Sequence, residues 1–482
     1  MNKKVYLLYP PISKRERYSS EIGSAGGEQL PLGIFYLGSY LKKNGFRIKI
    51  RDAESQNFKT EDIVKEIKEF EPEYVGVSST TVAFHRAIEV VKSIKENFPE
   101  IKIILGGPHI TSNVQHAMSF DLFDYGVLRE GEITITELLN KLNKKESIKK
   151  IKGLAYREKG KLVVNPHREY IEDLDSLPFP AYEFVKDIKL YTPPPSNYKT
   201  LPVMNIITSR GCPNQCTFCD NNVFGRKFRK RSPENIIEEI KYLREKFNVK
   251  EIAFVDDTFL VDKERVYKLF EQLEKENIKF PWTCMSRINN VDFEFLKFLK
   301  SKGCWHISFG IESGDDEILK IIKKNISLKQ AEKVINWCKQ LKIKTKGFFI
   351  IGHPKETLET IDKTIKLACK LPLDDVVFTL NTPIPGSQQY TEADMYGSLD
   401  QTNWAEFNYW RPVFIPKGLN TEILLKKHKE AYRSFYLRPK ILFRYFLSFF
   451  GKGGLKRLKS IAQASLYILK SQKSEKIKLN LT

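Results

Sequence analysis

The chain has 482 residues, 41% hydrophobic and 12% aromatic, enough for about three domains with sizeable cores, and a formal net charge of +21. That composition excludes a disordered or fibrous chain, and no stretch approaches the ~18 consecutive apolar residues of a membrane-spanning helix. None of the seven cysteines precedes Cys212, which excludes a paired disulfide framework; with Met1 running straight into a strand-like segment, this points to the cytoplasm. The surplus Lys and Arg argue for solubility and weak attraction to anionic surfaces, with no nucleic acid indicated.

Over residues 1–140 the pattern alternates. Val5–Tyr9 is a short apolar run, Pro31–Leu41 has helical spacing up to the cap signal Asn44-Gly45, and Arg47–Asp52 is strand-like. An amphipathic helix over 61–70, a buried strand at Tyr74–Ser78, a helix over 82–97 and a strand at Ile101–Leu105 follow. This order predicts a doubly wound parallel sheet, which binds ligands beyond the carboxyl ends of its strands. The candidate ligand loops are therefore Pro10–Ser13, Ser78–Thr81 and Gly106–His109, with Pro11, Ser79, Gly106, Gly107 and His109 as candidate contacts.

Residues 141–200 read as a connector. A charged helix tail is followed by a hairpin around Lys159-Gly160, an edge addition, and by extended proline-rich linker through Pro193–Pro195. From 201 to 415, strand candidates begin at Val203–Ile207 and recur at Glu251–Val255, Trp282–Met285, Trp305–Gly310, Thr345–Ile351 and Val376–Leu380, with helical patterns between them. Six βα units predict a parallel barrel or partial barrel, whose catalytic groups stand at the carboxyl ends of the strands. Those ends carry Cys212, Asp256-Asp257, Arg287, Glu312-Ser313, Gly352 and Thr382-Pro383.

Cys212, Cys216 and Cys219 lie on one tight loop, where three soft thiolates can turn toward one centre, either zinc or iron–sulfur. A structural zinc site needs a fourth Cys or His, usually in a second close pair, and Cys284, Cys304, Cys338 and Cys369 are single and scattered. Three cysteines leave one iron of a cubane open to a substrate. Cys284 or Cys304 is a candidate thiol for hydrogen donation, with burial in the core as the alternative.

The CxxxCxxC loop, with the aromatic Phe218 before its last cysteine, resembles the signature of the radical S-adenosylmethionine (SAM) superfamily. The resemblance implies a 4Fe–4S cluster on Cys212, Cys216 and Cys219 that cleaves SAM to methionine and a 5′-deoxyadenosyl radical. It further implies Asp256 and Asp257 for the SAM amino group, Glu312 and Ser313 for the ribose and Phe218 for the adenine, with Arg287 and Gly352 also at the cofactor. Capping of the next helix by an aspartate and pairing of Arg287 with a barrel carboxylate are the structural alternatives. The N-terminal order, with Leu-Gly-Gly-Pro-His at 105–109 and Glu130-Gly131-Glu132, is similar to the cobalamin-binding domain fused to many such enzymes. A general Rossmann-like nucleotide domain is the alternative. The Asp-x-His-x-x-Gly motif of cobalamin mutases is missing after Tyr9, which implies a cofactor without a protein imidazole below cobalt; His85, His109 and His116 are poor substitutes.

The expected activity is methylation of an unactivated carbon of a small or lipid-like molecule, with flavodoxin or ferredoxin as electron donor. Radical oxidative cyclisation, as in the anaerobic magnesium-protoporphyrin ester cyclases, is the alternative, and a non-catalytic cobalamin sensor is the alternative of another class. Residues 416–482 form a basic helical region; 421–482 carry 15 Lys and Arg against 3 Asp and Glu, interleaved with aromatics. Two readings follow, peripheral membrane contact or a helical cap on the barrel.

Overall fold

The computed structural model describes residues 3–18 and 27–443. The N-terminal strands are β1 (Lys4–Tyr9), β2 (Arg47–Asp52), β3 (Tyr74–Ser78), β4 (Lys102–Gly106) and β5 (Tyr125–Val127), and the connector hairpin supplies β6 (Leu154–Glu158) and β7 (Lys161–Val164). They form one sheet in the order β2-β1-β3-β4-β5-β6-β7, parallel through β5 and antiparallel beyond it. The predicted edge addition thus extends the N-terminal sheet past residue 140. Helices α1 (Leu32–Lys43), α2 (Thr60–Phe70), α3 (Phe84–Asn97) and α4 (Gly131–Asn143) pack on it. Strand order reverses between β1 and β3, so the loops after these strands part and open a crevice at their carboxyl ends.

The second unit holds β8 (Val203–Ile206), β9 (Glu251–Phe254), β10 (Trp282–Arg287), β11 (Cys304–Glu312), β12 (Lys344–Ile351) and β13 (Asp375–Leu380). They pair in sequence order, all parallel, and β8 does not pair with β13, so this is a partial barrel. Its outer layer is α5 (Pro233–Phe247), α6 (Lys263–Lys275), α7 (Phe293–Ser301), α8 (Leu328–Gln340) and α9 (Leu358–Lys370). Ser232, Asp262, Asp292, Ser327 and Thr357 each accept a backbone N–H with their side chains, starting all five helices.

An open barrel leaves an edge with unpaired backbone groups. Helix α10 (Thr421–Tyr436) covers it with Leu424, His428, Ala431, Tyr432 and Phe435 buried. Tyr432 Oη accepts from Phe378 N (3.1 Å) and donates to Phe378 O (3.0 Å), His428 Nε2 bonds the same carbonyl (2.9 Å), and Tyr436 Oη reaches Val376 O (3.0 Å). Residues 421–436 are therefore the helical cap. Residues 444–482, with most of the basic aromatic tail, lie outside the described residues. No helix among the described residues is long and apolar enough to cross a membrane.

The two units are joined by buried charge. Arg210 donates to Glu130 (2.9 Å) and Glu132 (2.6 Å), and Arg229 donates to both oxygens of Glu130 (2.8 and 2.9 Å), with all four side chains 5% exposed or less. Asn205 adds a two-point clasp to the backbone N–H and C=O of Leu30, both at 3.1 Å. Removing one partner of a buried pair strands the other charge in a low dielectric. Arg210→Met is expected to cost about 3–5 kcal/mol in chemical denaturation. Lys227→Met, which breaks the exposed Lys227–Glu172 pair, is expected to leave the unfolding midpoint unchanged.

Candidate active site

The cysteine loop leaves β8 through Thr208-Ser209-Arg210-Gly211. Gly211 sits at φ +89°, where a Cβ would lie 2.2 Å from Lys227 O, so only glycine lets the chain turn into Cys212. The loop is held by Cys212 N to Gly225 O (3.2 Å), Thr217 N to Ile322 O (3.0 Å) and Gln389 N to Thr217 O (2.9 Å), and Ser112 of the N-terminal unit bonds Asp220. Asn214 Nδ2 donates to Cys212 Sγ (3.2 Å), Arg287 Nη1 to Cys216 Sγ (3.1 Å), and Cys219 Sγ donates to Asn221 Oδ1 (3.3 Å). Protein packed around Cys219, then Cys216 and Asp257, pushes its thiol up to about 12, although its outer side remains open. Such a thiol becomes a thiolate only against positive charge, as bound iron provides. No group of three His, Cys, Asp or Glu among the described residues gathers at single-ion spacing. Cubane ligands bind three different irons and so stand further apart than the donors of one zinc.

Around this loop the barrel's strand ends converge. Phe218 packs on Ile318, Leu319 and Ile322 with its ring 5.9 Å from His353 and 5.7 Å from Lys324 Nζ. Lys324 Nζ pairs with Glu312 Oε1 (2.6 Å), and Glu312 holds a left-handed φ of +72°, a strained conformation for a non-glycine residue that marks functional sites. Gly352 N and His353 N donate to Glu356 Oε2 (2.5 and 3.1 Å). Burial pushes Glu356 up to about 8 and, with Lys324 nearby, His353 down to about 3, leaving a neutral imidazole. Asp256 accepts from Thr208 N (3.0 Å), Thr208 Oγ1 (2.7 Å) and Ser209, fixing the β9 end to the cysteine approach. Asp257 instead faces the cavity; desolvation first, then Asp256, raises its carboxyl, against a lowering hydrogen bond from Gly211. Ser313 is fully buried on Thr364 (3.3 Å), so it supports the β11 end instead of facing a ligand.

A cavity of about 720 Å³ runs between the units, from Tyr9, Ser78, Gly106 and Arg129 to Val255, Met285 and Phe348 inside the barrel, passing Asp220 and Asn221 beside Cys219. Gly107, at φ +95°, admits no side chain, since a Cβ would lie 2.8 Å from Ser79 N and O. Pro11, Ser79 and His109, expected as cobalamin contacts, do not line this cavity. Ser79 spends its N–H on Gly106 O and its carbonyl on His109 N, and the buried His109 ring bonds Thr81 (3.2 Å) and His116 (3.0 Å). Cys304 is buried near Cys338 of α8 with its thiol raised by desolvation, which is the core-packing alternative, whereas Cys284, also mostly buried, contributes to the cavity wall between Thr283 and Met285.

Two observations test the fit of the implied cofactors. Gly33 and Gly106 line the cavity, and a Cβ there would meet nothing within 4 Å and nothing nearer than 3.9 Å respectively, leaving bare backbone for a large ligand. At the cysteine end, Arg287 Nε, both His353 nitrogens, Glu356 Oε1, Asn381 Nδ2 and Gln389 Oε1 are buried without a hydrogen-bond partner. Buried polar atoms are nearly always paired, so these keep hydrogen-bonding capacity that ligand groups or water can fill. Both regions fit. Sequence reasoning missed Arg210, Lys324, His353 and Glu356, although Gly352-His353-Pro354 directly follows a predicted strand.

A family profile described as the Radical SAM superfamily matches residues 206–368, and one described as B12 binding domain matches 21–139. An uncharacterized methyltransferase of Pyrococcus horikoshii is 35% identical over 445 residues, covering 92% of this chain and 94% of its own. The anaerobic magnesium-protoporphyrin IX monomethyl ester cyclase of Rubrivivax gelatinosus is 26% identical, covering 91% and 78%. The fold matches the radical SAM methyltransferase TsrM of Kitasatospora setae, solved with cobalamin and a [4Fe-4S] cluster, at TM-score 0.71 and 16% identity, covering 98% and 100%. The cysteine loop at the mouth of a partial barrel, the glycine-lined crevice facing it and these likenesses together establish that the chain belongs to the cobalamin-binding radical SAM enzymes, with a 4Fe–4S cluster, SAM and cobalamin as its cofactor set.

Proposed function

We propose that the protein methylates an unactivated carbon of an apolar small molecule. The observation that carries this reading is the single cavity that joins the glycine loops of the N-terminal unit to the barrel interior beside the cysteine loop. When bound, the cluster and SAM supply one-electron chemistry at an unreactive C–H bond, and cobalamin carries a methyl group. Cys212, Cys216 and Cys219 would hold the cluster. Phe218, His353, Gly352, Asp257 and the Glu312–Lys324 pair would orient SAM, and Gly33, Gly106 and Gly107 would receive the corrin. The buried Arg210–Glu130 network keeps the two halves in register.

The barrel interior supports a substrate class. Met285, 40% exposed, lines it with Val255 and Phe348, and beneath them Thr283, His306 and Ser308 give a polar floor. Burial, then Lys346, holds His306 down at about 3, so its ring is neutral, and Lys346 gives its charge to Asp375 (2.8 Å). An apolar body with a neutral hydrogen-bonding end fits this lining better than a carboxylate or phosphate. The similarity to the cyclase makes ring formation the second reading. A low-potential flavin or iron–sulfur protein would donate the electron. The basic tail supports peripheral membrane contact on composition alone.

Anaerobic protein given SAM, reductant and cobalamin is expected to form 5′-deoxyadenosine and S-adenosylhomocysteine, with about four irons per chain on the three thiolates. The Cys212, Cys216 and Cys219 triple Ala variant should lose both products and the iron; iron retained by that variant would refute the assignment. The reduced cobalt state is expected to show no axial-imidazole nitrogen splitting. His85 bonds Glu16 (2.9 Å), His109 and His116 bond each other, and His306, the histidine that lines the cavity, stands on the barrel floor in register with Thr283 and Lys344. For the tail, the full chain should sediment with anionic liposomes at low salt and a chain ending at Leu437 should not; equally poor sedimentation of both would rule membrane contact out, and equally strong sedimentation would rule out the tail as its source.

A further inference from the structure

We propose that Arg287 sets the reduction potential of the cluster, holding it less negative through an N–H···S hydrogen bond to Cys216. The inference rests on the cluster assignment above. Arg287 ends β10, is 7% exposed and places Nη1 3.1 Å from Cys216 Sγ. Its second amino group donates to the Lys324 carbonyl, which fixes the plane of the guanidinium, and its Nε is buried without a partner.

The side chain is therefore aimed, and its charge is uncommitted. Lys324, whose side chain stands over the Phe218 ring, is neutralised by Glu312 at 2.6 Å. Gly310 makes room for that pair, since a Cβ there would lie 2.3 Å from Glu312 Oε1 and 2.6 Å from Lys324 Nζ. No carboxylate within ion-pair distance of Arg287 occurs among the described residues, so its charge faces the thiolate alone. The three sulfurs are consequently unequal. Cys212 receives a neutral amide N–H from Asn214, Cys219 bonds the Asn221 side-chain carbonyl oxygen, and Cys216 receives a guanidinium N–H from Arg287. Adding an electron makes the cluster more negative, and a fixed buried cation with an N–H on one ligand favours that state; hydrogen bonds to the sulfurs are a recognised control of such potentials. Arg287 is a positioning and tuning residue, one bond removed from the iron.

The test is an EPR-monitored redox titration of the anaerobically reconstituted full chain without SAM. Arg287→Met is expected to move the midpoint to more negative potential, enough to lower the reduced-to-oxidised ratio at fixed solution potential at least tenfold, which is 59 mV for a one-electron couple. Arg287→Lys, which keeps charge but loses the planar two-point geometry, should fall between Met and wild type. Iron content should stay at the wild-type level, and the exposed control Arg226→Met should not move the potential. A midpoint in Arg287→Met equal to wild type at full iron content would overturn the proposal, as would an equal shift in Arg226→Met. If Arg287→Met fails to hold iron, Arg287→Lys and Arg287→Gln decide: a shift in Gln exceeding that in Lys supports the proposal, and unshifted potentials in both overturn it. Wild-type protein that assembles no four-iron cluster would overturn the cluster assignment itself, and this proposal with it.

Discussion

Four buried charges hold this molecule's two halves in one geometry. Glu130 and Glu132 stand at the start of α4 in the N-terminal unit, and Arg210 and Arg229 belong to a two-residue ribbon of the barrel unit, Ser209–Arg210 against Arg229–Lys230. Arg210 lies two residues before Cys212. Any shift of the N-terminal unit therefore pulls on the approach to the cysteine loop, and the desolvated charges penalise that shift steeply. The network also lines the cavity, since Glu130, Glu132 and Arg210 form part of its wall. A site made of two cofactor regions needs such a lock, because small misplacements of reacting groups cost large factors in rate.

The partial barrel explains the rest of the chain's organisation. Six strands leave the sheet open, and an open sheet exposes both an edge and an interior. The edge at β13 is satisfied by Tyr432, Tyr436 and His428 of α10, which explains why a helix follows the barrel at all. The interior is approached from the connector, where Ser196 Oγ and Asn197 Oδ1 accept from Lys346 Nζ (3.1 and 2.5 Å). The extended chain expected here is instead a series of 3-10 turns, Leu174–Ser176, Tyr182–Phe184, Ile188–Leu190 and Pro195–Asn197, because its aromatics find partners: Tyr182 is fully buried and donates to Glu239 (2.7 Å). Beyond the barrel, Trp404 returns to pack against His116 (tilted, 4.9 Å) and His109 (edge to face, 5.6 Å), strapping the barrel's last segment to the N-terminal unit.

Much of this was legible in the residues. The β8–β13 spans fall within a residue or two of those expected, and helices lie between them as expected, because each strand is a short apolar run followed by a stripe of helical period. The cysteine loop was legible because three thiols at that spacing have few other uses. What escaped was three-dimensional. Strand β5 has only three residues, too few for periodicity to register. Glu130 and Glu132 stand out along the chain only as part of a cobalamin-domain motif, and that Arg210 and Arg229 are their partners is visible only once the docking of two units buries all four. Ser79 and His109 sit on the expected loop, yet their groups serve the loop's own turn, so placement on a ligand loop did not make them wall residues. Arg287 was placed correctly at a strand end, and nothing in its neighbours along the chain indicated Cys216 as its partner.

The central proposal is that iron on the cysteine loop and cobalt toward the glycine loops flank one cavity between two locked units. Anomalous diffraction collected at the iron and cobalt absorption edges, from crystals of the anaerobically prepared holoenzyme, reads both positions directly. The account predicts one iron peak at Cys212, Cys216 and Cys219, and one cobalt peak inside the cavity bounded by Gly106, Gly107 and the barrel mouth, with no histidine nitrogen coordinated to it. A cobalt peak outside that cavity, or an iron peak away from the three cysteines, would contradict it.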